Sequence, residues 1–432
     1  MAWLLPPPMR SLLRSTVGKL VVSAAFLLAT AGYIALATRE FLGAHFAAKQ
    51  DVQGLQMATR LEPGNAGYRY LLGRYFWFVQ RSPDAAIEPY QAAIRLNPFE
   101  ARSWFDLAAV YQFLGDTNRQ EDALQHAIEE DPSTPDVAWE AANLYLVQGE
   151  TGKALKEFRV VLENDPYRPP AALDMCWRID PDIDALLRDV VPPMPGVYSS
   201  FLEYLISKKE TSAAAKVWAA MAQLAQPVER RYVFGYMRYL VTEREADQAR
   251  LVWQQAAGLS QLSAYQPTAE NLVVNGDFSR DVLNSGFDWF YRPSPDVSLA
   301  LDPTQFHTGN RSLRMVFDSR GLEDTGLQHL ISVLPNTGYE FSANFRSEDM
   351  KGAGGPRFVL QDLYSGAPYF SSDTLADGGF WKNVSGDFTT GPDTKLLLLR
   401  VQRFPAGIPI KGTLWIDGIR LAAKSSEPGE HR

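Results

Sequence analysis

The chain has 432 residues, more than one compact core usually serves, so division into two or three structural units is expected. Its formal net charge is −8, with lysines and arginines scattered. That excludes the basic footprint that neutralises phosphates, and no nucleic acid is expected among its partners.

From Leu20 to Thr38 run 19 residues without a charge, preceded by Arg10, Arg14 and Lys19 and followed by Arg39 and Glu40. A helix of about 20 apolar residues spans a hydrocarbon core about 30 Å thick. The leading cations place residues 1–19 in the cytoplasm, residues 20–38 across the membrane or as an uncleaved signal anchor, and the rest outside. Ala35-Leu36-Ala37 has the form of a processing site, so a cleaved signal peptide is the alternative. Either way the body is exported. The expected setting is a single-pass protein of a bacterial inner membrane with its main body periplasmic, the membrane being engaged through the N-terminal helix. A lone cysteine, Cys176, makes no intramolecular disulfide and lies in an apolar phrase that points to burial.

Prolines then recur at Pro63, Pro98, Pro132 and Pro166, at intervals of 35, 34 and 34, each closing a similar phrase: MATRLEP, AAIRLNP, HAIEEDP and VVLENDP. Apolar and small residues at helical spacing lie on both sides of each proline. Gly73, Ala108 and Ala142 recur in the first helix of each pair, and Ala86, Ala93 and Ala154 in the second. In these features the sequence resembles the tetratricopeptide repeat family, in which paired helices of about 34 residues stack in series. Where Val161 stands the resemblance implies a small residue, so the third repeat departs from it there. The resemblance implies an α-solenoid over residues 48–259, with regular repeats at 66–166 and divergent hairpins at 198–259. In the divergent part FLEYLISKKETSAAAKVWAAM aligns with YMRYLVTEREADQARLVWQQA. The phrase VVPPMPG between the two parts is read as a loop, and Trp104, Trp218 and Trp253 as hairpin core. Such arrays offer a concave face to a protein partner; Arg102, Asp106 and Gln112 are the expected readers, a solvated helix face being the alternative for each.

Residues 260–270 form a polar linker, after which the apolar period becomes two. TGYEFSANFRSE puts Tyr339, Phe341, Ala343 and Phe345 on one face of a strand, and turns follow at regular spacing. An antiparallel β-sandwich over residues 271–424 is expected, then a disordered tail at 425–432. The ordered phrases NLVVNGDFS, GFDWFY, HTGNRSLRMVF, LPNTGYEFSANFRS, WKNVSGDFTT and LWIDGIRLA resemble the carbohydrate-binding modules with a galactose-binding-like jelly roll. The fold class is therefore α then β: a transmembrane helix, a repeat solenoid and a jelly-roll sandwich.

The resemblance carries two expectations about ligands. Positions matching a structural calcium site are Asp277, Ser279, Thr308, Asn310 and Asp417, although Ser279 stands where an acid is usual. Asp277 and Asp417 serve such an ion or simply cap turns. For sugar, Asn344 and Arg346 point away from the core, Gln361, Arg400 and Gln402 are expected to join them on adjacent strands, and Tyr364 and Tyr369 offer the aromatic platform. An ordinary polar outer face is the alternative. Trp289, Trp381 and Trp415 are expected in or near the core.

No HExxH, CxxC, phosphate loop or Gly-x-Ser-x-Gly elbow occurs, and the five histidines lack metal-ligand spacing. No catalytic residue and no cofactor other than the calcium is expected. The favoured function is a tethered scaffold whose repeats bind a protein and whose sandwich binds a polysaccharide, in envelope or exopolysaccharide assembly or export. The alternative is a structural interaction protein whose sandwich binds no sugar.

Overall fold

The computed structural model describes residues 16–292, 294–376 and 378–424. The leading part of the N-terminal segment and the tail at 425–432 lie outside these. The chain is α then β, and it forms two compact units, Met1–Pro192 and Pro193–Arg432.

Helix α1 (Thr16–Ala47) holds 32 residues and exceeds the uncharged stretch at both ends. It is long and apolar enough to cross a membrane, with its apolar window unburied; a signal sequence meets the same criterion. Past the apolar stretch its last turns pack on the next helices: Gly43 faces the side chains of Glu62 and Tyr68, and Ala47 joins Leu55, Ala58 and Leu72 in a small core.

The repeats follow as α2 (Val52–Leu61), α3 (Ala66–Arg74), α4 (Pro83–Leu96), α5 (Ala101–Leu114), α6 (Thr117–Glu130), α7 (Pro135–Gln148) and α8 (Thr151–Asn164). Helices α9 (Pro169–Ile179) and α10 (Ile183–Asp189) close the first unit. The backbone of α3 runs on as a π-helical turn, Tyr75–Val79. A π-turn accommodates one added residue, which suits the first interval of 35 against the later 34. Ala108, Ala142 and Ala154 are fully buried where paired helices approach, and so is Val161. Gly73 abuts the ring of Tyr90, and a Cβ there would lie 2.8 Å from the ring carbon. Gly73→Ala is therefore expected to destabilise the first unit by about 1–3 kcal/mol through overpacking. A denaturant titration that finds no loss would show that the helices separate at little cost.

The second unit begins with α11 (Pro195–Lys208), α12 (Thr211–Gln223), α13 (Arg230–Thr242) and α14 (Ala246–Leu259), and so includes the divergent hairpins together with the sandwich. Among the described residues ten strands follow: β1 (Trp289–Tyr291), β2 (Val297–Asp302), β3 (Ser312–Gly321), β4 (Asp324–Ser332), β5 (Gly338–Lys351), β6 (Gly355–Asp362), β7 (Pro368–Ser371), β8 (Lys382–Thr389), β9 (Leu396–Phe404) and β10 (Pro409–Ala423). They make two five-stranded sheets, in the orders β1-β4-β9-β6-β7 and β2-β3-β10-β5-β8. All the pairings between these strands are antiparallel. Phe341, Phe358, Leu399 and Ile416 are among the side chains that fill the space between the sheets.

Helices and sandwich are packed together inside this unit. Trp253 donates from Nε1 to the carbonyl of Tyr265 at 2.8 Å and meets the ring of Phe287 edge-on at 5.9 Å. The Tyr364 hydroxyl donates to the carbonyl of Val241 at 3.0 Å, and Lys395 pairs with Asp247 at 2.6 Å. The connecting residues are also tied down, with Gln266 donating to the carbonyl of Trp253 at 3.0 Å.

Two titratable groups are buried where the sandwich opens. His329 shares a hydrogen bond with the carbonyl of Val274 at 3.0 Å, its Nδ1 has no partner, and burial pushes its pKa down to about 4. Asp288 accepts from the Leu283 amide at 2.6 Å, its Oδ1 has no partner, and burial pushes its pKa up to about 7. The two act oppositely on stability. Protonation of His329 occurs first in the unfolded chain, so its contribution is lost as pH falls from about 6.5 to 4. The contribution of Asp288 is present below about pH 4 and lost as pH rises through 7. Each is on the order of 3 kcal/mol, so the two contributions largely offset one another between about pH 4.5 and 6.5. Asp288→Asn should unmask a steep loss on acidification, and His329→Gln a gain. Urea melts across that window check the pair; parallel profiles in all three proteins would refute it.

Candidate functional site

In the first unit, α3, α5 and α7 line a groove of about 740 Å³. Its wall carries Tyr70, Phe105 and Trp139, one aromatic from each helix at intervals of 35 and 34 residues. Arg102 and Asp106 line it; Gln112 is not among the lining residues and sits half-buried in the last turn of α5, where its carbonyl accepts from Gly115 at 3.1 Å. Asp106 accepts from the Tyr90 hydroxyl at 3.1 Å and lies 3.9 Å from the Arg74 guanidinium. Burial pushes the carboxyl of Asp106 up, against hydrogen bonds from Tyr70 and Tyr90. Burial, followed by the charge of Asp106, lifts the Tyr70 hydroxyl to about 12. The polar residues of the helix faces do not reveal the aromatic row. The repeat interval itself is the signal that finds it.

In the second unit the expected sugar residues separate. Gln361, Arg400 and Gln402 lie on the outer face of the first sheet, on neighbouring strands β6 and β9, with Arg357 paired to Gln402 in register. Arg400 donates to Gln361 at 3.1 Å and stands 3.4 Å from the Asp324 carboxylate. Beside them Arg357 covers the ring of Phe404 at 4.4 Å, and the residue as a whole is 55% exposed. Two polar atoms here have almost no solvent contact and no hydrogen-bond partner, Nε of Arg357 and Nε of Arg400, while Oδ2 of Asp324 is paired with the Arg400 guanidinium. Such atoms are costly unless something binds them.

Asn344 and Arg346 do not join this cluster, which corrects the expectation of adjacent strands. Both are on β5, which pairs with β10 and β8 in the second sheet. The chain changes sheets between β5 and β6, so the two sets face outward on different sheets. Arg346 binds Gln305 and Glu348 and lies 5.7 Å over Trp415, while Asn344 accepts from Asn383 at 3.1 Å. Tyr364 is engaged with α13, and Tyr369 bonds Thr394 at 2.6 Å and accepts from Gly391 at 2.8 Å. Trp289 is core; Trp415 is buried on the outer face with Nε1 bonded to Asp302 at 2.9 Å; Trp381 is half-buried, 5.7 Å from His307.

A family model described as Tetratricopeptide repeat matches residues 101–134, the hairpin of α5 and α6. Tetratricopeptide repeat protein 37 of Xenopus laevis is 30% identical over 114 residues, 25% of this chain. The match spans 7% of that relative's length. Among solved structures, one described under CBM4 structure and function is 13% identical and covers 35% of this chain and 99% of its own, with a TM-score of 0.28. TmCBM61 in complex with β-1,4-galactotriose is 18% identical, covering 36% and 99%, with a TM-score of 0.26. Pseudomonas aeruginosa pilF is 15% identical, covering 51% and 90%, with a TM-score of 0.25.

The five positions tied to calcium do not fit that ion in this geometry. Asp417 is fully buried, and both its oxygens are taken by donors. Oδ2 accepts from the amides of His307 and Thr308 at 2.6 and 2.7 Å, and Oδ1 from the Thr308 hydroxyl at 3.0 Å and the Gly418 amide at 2.6 Å. Four donors fill its lone-pair directions. Asp277 holds Ser279 through its amide at 3.2 Å and its hydroxyl at 2.6 Å, and Asn310 is exposed. A hard cation wants six or more oxygens with carboxylate charge; here N–H and O–H groups point at the carboxylate instead. Among the described residues no cluster of three or more metal-ligating side chains occurs.

Proposed function

We propose that this protein is a non-catalytic, membrane-tethered extracytoplasmic scaffold. Its repeat groove docks a segment of a protein partner, and the outer face of the β1-β4-β9-β6-β7 sheet holds a polysaccharide. Assembly or export of an envelope or secreted polysaccharide is the setting such a pair of sites suits. The observation that carries the sugar reading is the grouping of Arg357, Gln361, Arg400 and Gln402 on one outer sheet face beside the exposed Phe404. Guanidinium and carboxylate groups beside an aromatic face are what a hydroxylated ring needs. The packing of α13 and α14 against this same sandwich supports a second reading, in which the sheet contacts polypeptide alone. Titration calorimetry of the whole protein with soluble glucan, xylan and galactan separates the two. Saturable heat with one of them supports the scaffold reading; no heat with any, and no change in melting temperature, favours the structural one.

A further inference from the structure

Between α13 and strands β1 and β4 lies a cleft of about 420 Å³. Arg238 and Val241 line it from the helix, Phe290, Arg292 and Leu330 from the sheet, and Asn284 from the loop before β1. Cross-strand partners share a face of a sheet. Phe290 pairs with Gln328 and Gln328 with Arg400, so Phe290 at the cleft and Arg400 in the polar cluster belong to one row of the outer face. With neighbouring strands about 4.8 Å apart, the two stand about 10 Å from one another, within the span of one short oligosaccharide.

The charge of the cleft is one-sided. Arg238 and Arg292 come from different elements, and both are exposed. Neither guanidinium has an ion-pair, hydrogen-bond or ring partner among the described residues, and no Asp or Glu among them lines the cleft. Asn284 adds a fixed donor: its Oδ1 accepts from the Tyr291 amide at 3.1 Å, which leaves its amide nitrogen free to donate. The carbonyls that end α13 are already met, that of Val241 by the Tyr364 hydroxyl and those of Tyr239 and Leu240 by the amides of Glu243 and Glu245 at 2.9 and 2.8 Å. The negative end of the helix therefore competes little for the guanidinium groups. A chain of net charge −8 that keeps two unpaired cations in one cleft, with no carboxylate beside them, has the chemistry to hold an anion. The half-buried Phe290 supplies an aromatic surface for a sugar ring.

Resting on the sugar-binding reading of the sheet face, we infer that this cleft takes an anionic group carried on a sugar ring, a carboxylate or a sulfate ester, and that the glycan is therefore acidic. Guanidinium groups bind either oxyanion through paired N–H donors.

The test is calorimetry of the whole protein with oligogalacturonate, its methyl ester, sulfated galactan and unsulfated galactan, inorganic sulfate serving as the free ion. Oligogalacturonate should bind at least tenfold more tightly than its ester, or sulfated galactan than unsulfated, and the advantage should shrink as salt rises. Arg238→Ala and Arg292→Ala should each remove most of that advantage while affinity for unsulfated galactan holds. Neither should move the melting temperature, since neither side chain has a partner to lose. Arg238→Glu should make the uncharged form the tighter ligand. Equal affinity for charged and uncharged forms, or an advantage that survives both alanine variants, overturns the anionic cleft and leaves the sugar-binding reading in place. Inorganic sulfate binding with no saccharide binding overturns both, as does silence toward every probe.

Discussion

Gly286→Ala is expected to lower the melting temperature of the second unit by about 10 °C. Gly286 has φ of +68° and lies directly against the six-membered ring of Trp253, so that an added Cβ would overlap ring carbons. A left-handed conformation costs an L-residue roughly 1–2 kcal/mol, and overpacking of a filled interior about 1–3 kcal/mol. Together these remove about 2–5 kcal/mol, and each kcal/mol shifts a unit of this size by about 2–4 °C. Neither partner can easily yield. Trp253 is held by Tyr265 through its indole N–H and by Phe287 through its ring. Gly366→Ala is the matched control: its φ is +72°, and nothing lies within 4 Å of the added carbon. It bears the conformational cost alone, roughly 1–2 kcal/mol. Equal losses in the two variants would show that Trp253 does not pack against the sandwich as described. Because the residue joins hairpin to sandwich, its fluorescence and the circular dichroism of the strands should change in one transition.

The contrast between Trp253 and Gly73 explains what was legible in the sequence. Gly73 recurs with Ala108 and Ala142 at the repeat interval and meets Tyr90 within its own hairpin, so a local pattern reveals it. Trp253 also recurs, with Trp218, and the repeat correctly marks both as buried. Its contact with Gly286 and Phe287 joins helix to sandwich, and no helical period encodes that. Strands show the same divide. Period two separates Asn344 and Gln361 from the core side chains, since both point outward, but it cannot tell which sheet a strand enters. That is decided by pairing: β5 goes to β10 and β6 to β9. Asp417 gives a third case. Its place in the final strand marked it as special; whether it binds a cation or caps a turn depends on the amides of His307, Thr308 and Gly418, which come close only on folding.

Arg400→Ala is expected to cost at least tenfold in polysaccharide affinity while barely moving the melting temperature. The side chain sits between Gln361 and Asp324, with its Nε still unpartnered. Its removal deletes donors that a bound sugar would accept, and a hydrogen bond to a charged group is worth about 1.5–3 kcal/mol. That corresponds to a factor of about 10–150 in dissociation constant. The structural cost is smaller. Gln361 and Asp324 lose a neighbour, and the space left by the side chain admits water to the Asp324 carboxylate in place of the guanidinium. Arg346→Ala provides the decisive comparison. It removes an arginine of similar burial from the other sheet, bound to Gln305 and Glu348 through its terminal nitrogens and, like Arg400, with its Nε unpartnered. With the site on the first sheet, Arg346→Ala retains affinity and loses some stability, and Arg400→Ala does the reverse. An exchange of those two outcomes would move the glycan to the face built from β5 and β10, with Asn344 and Trp415 as its neighbours.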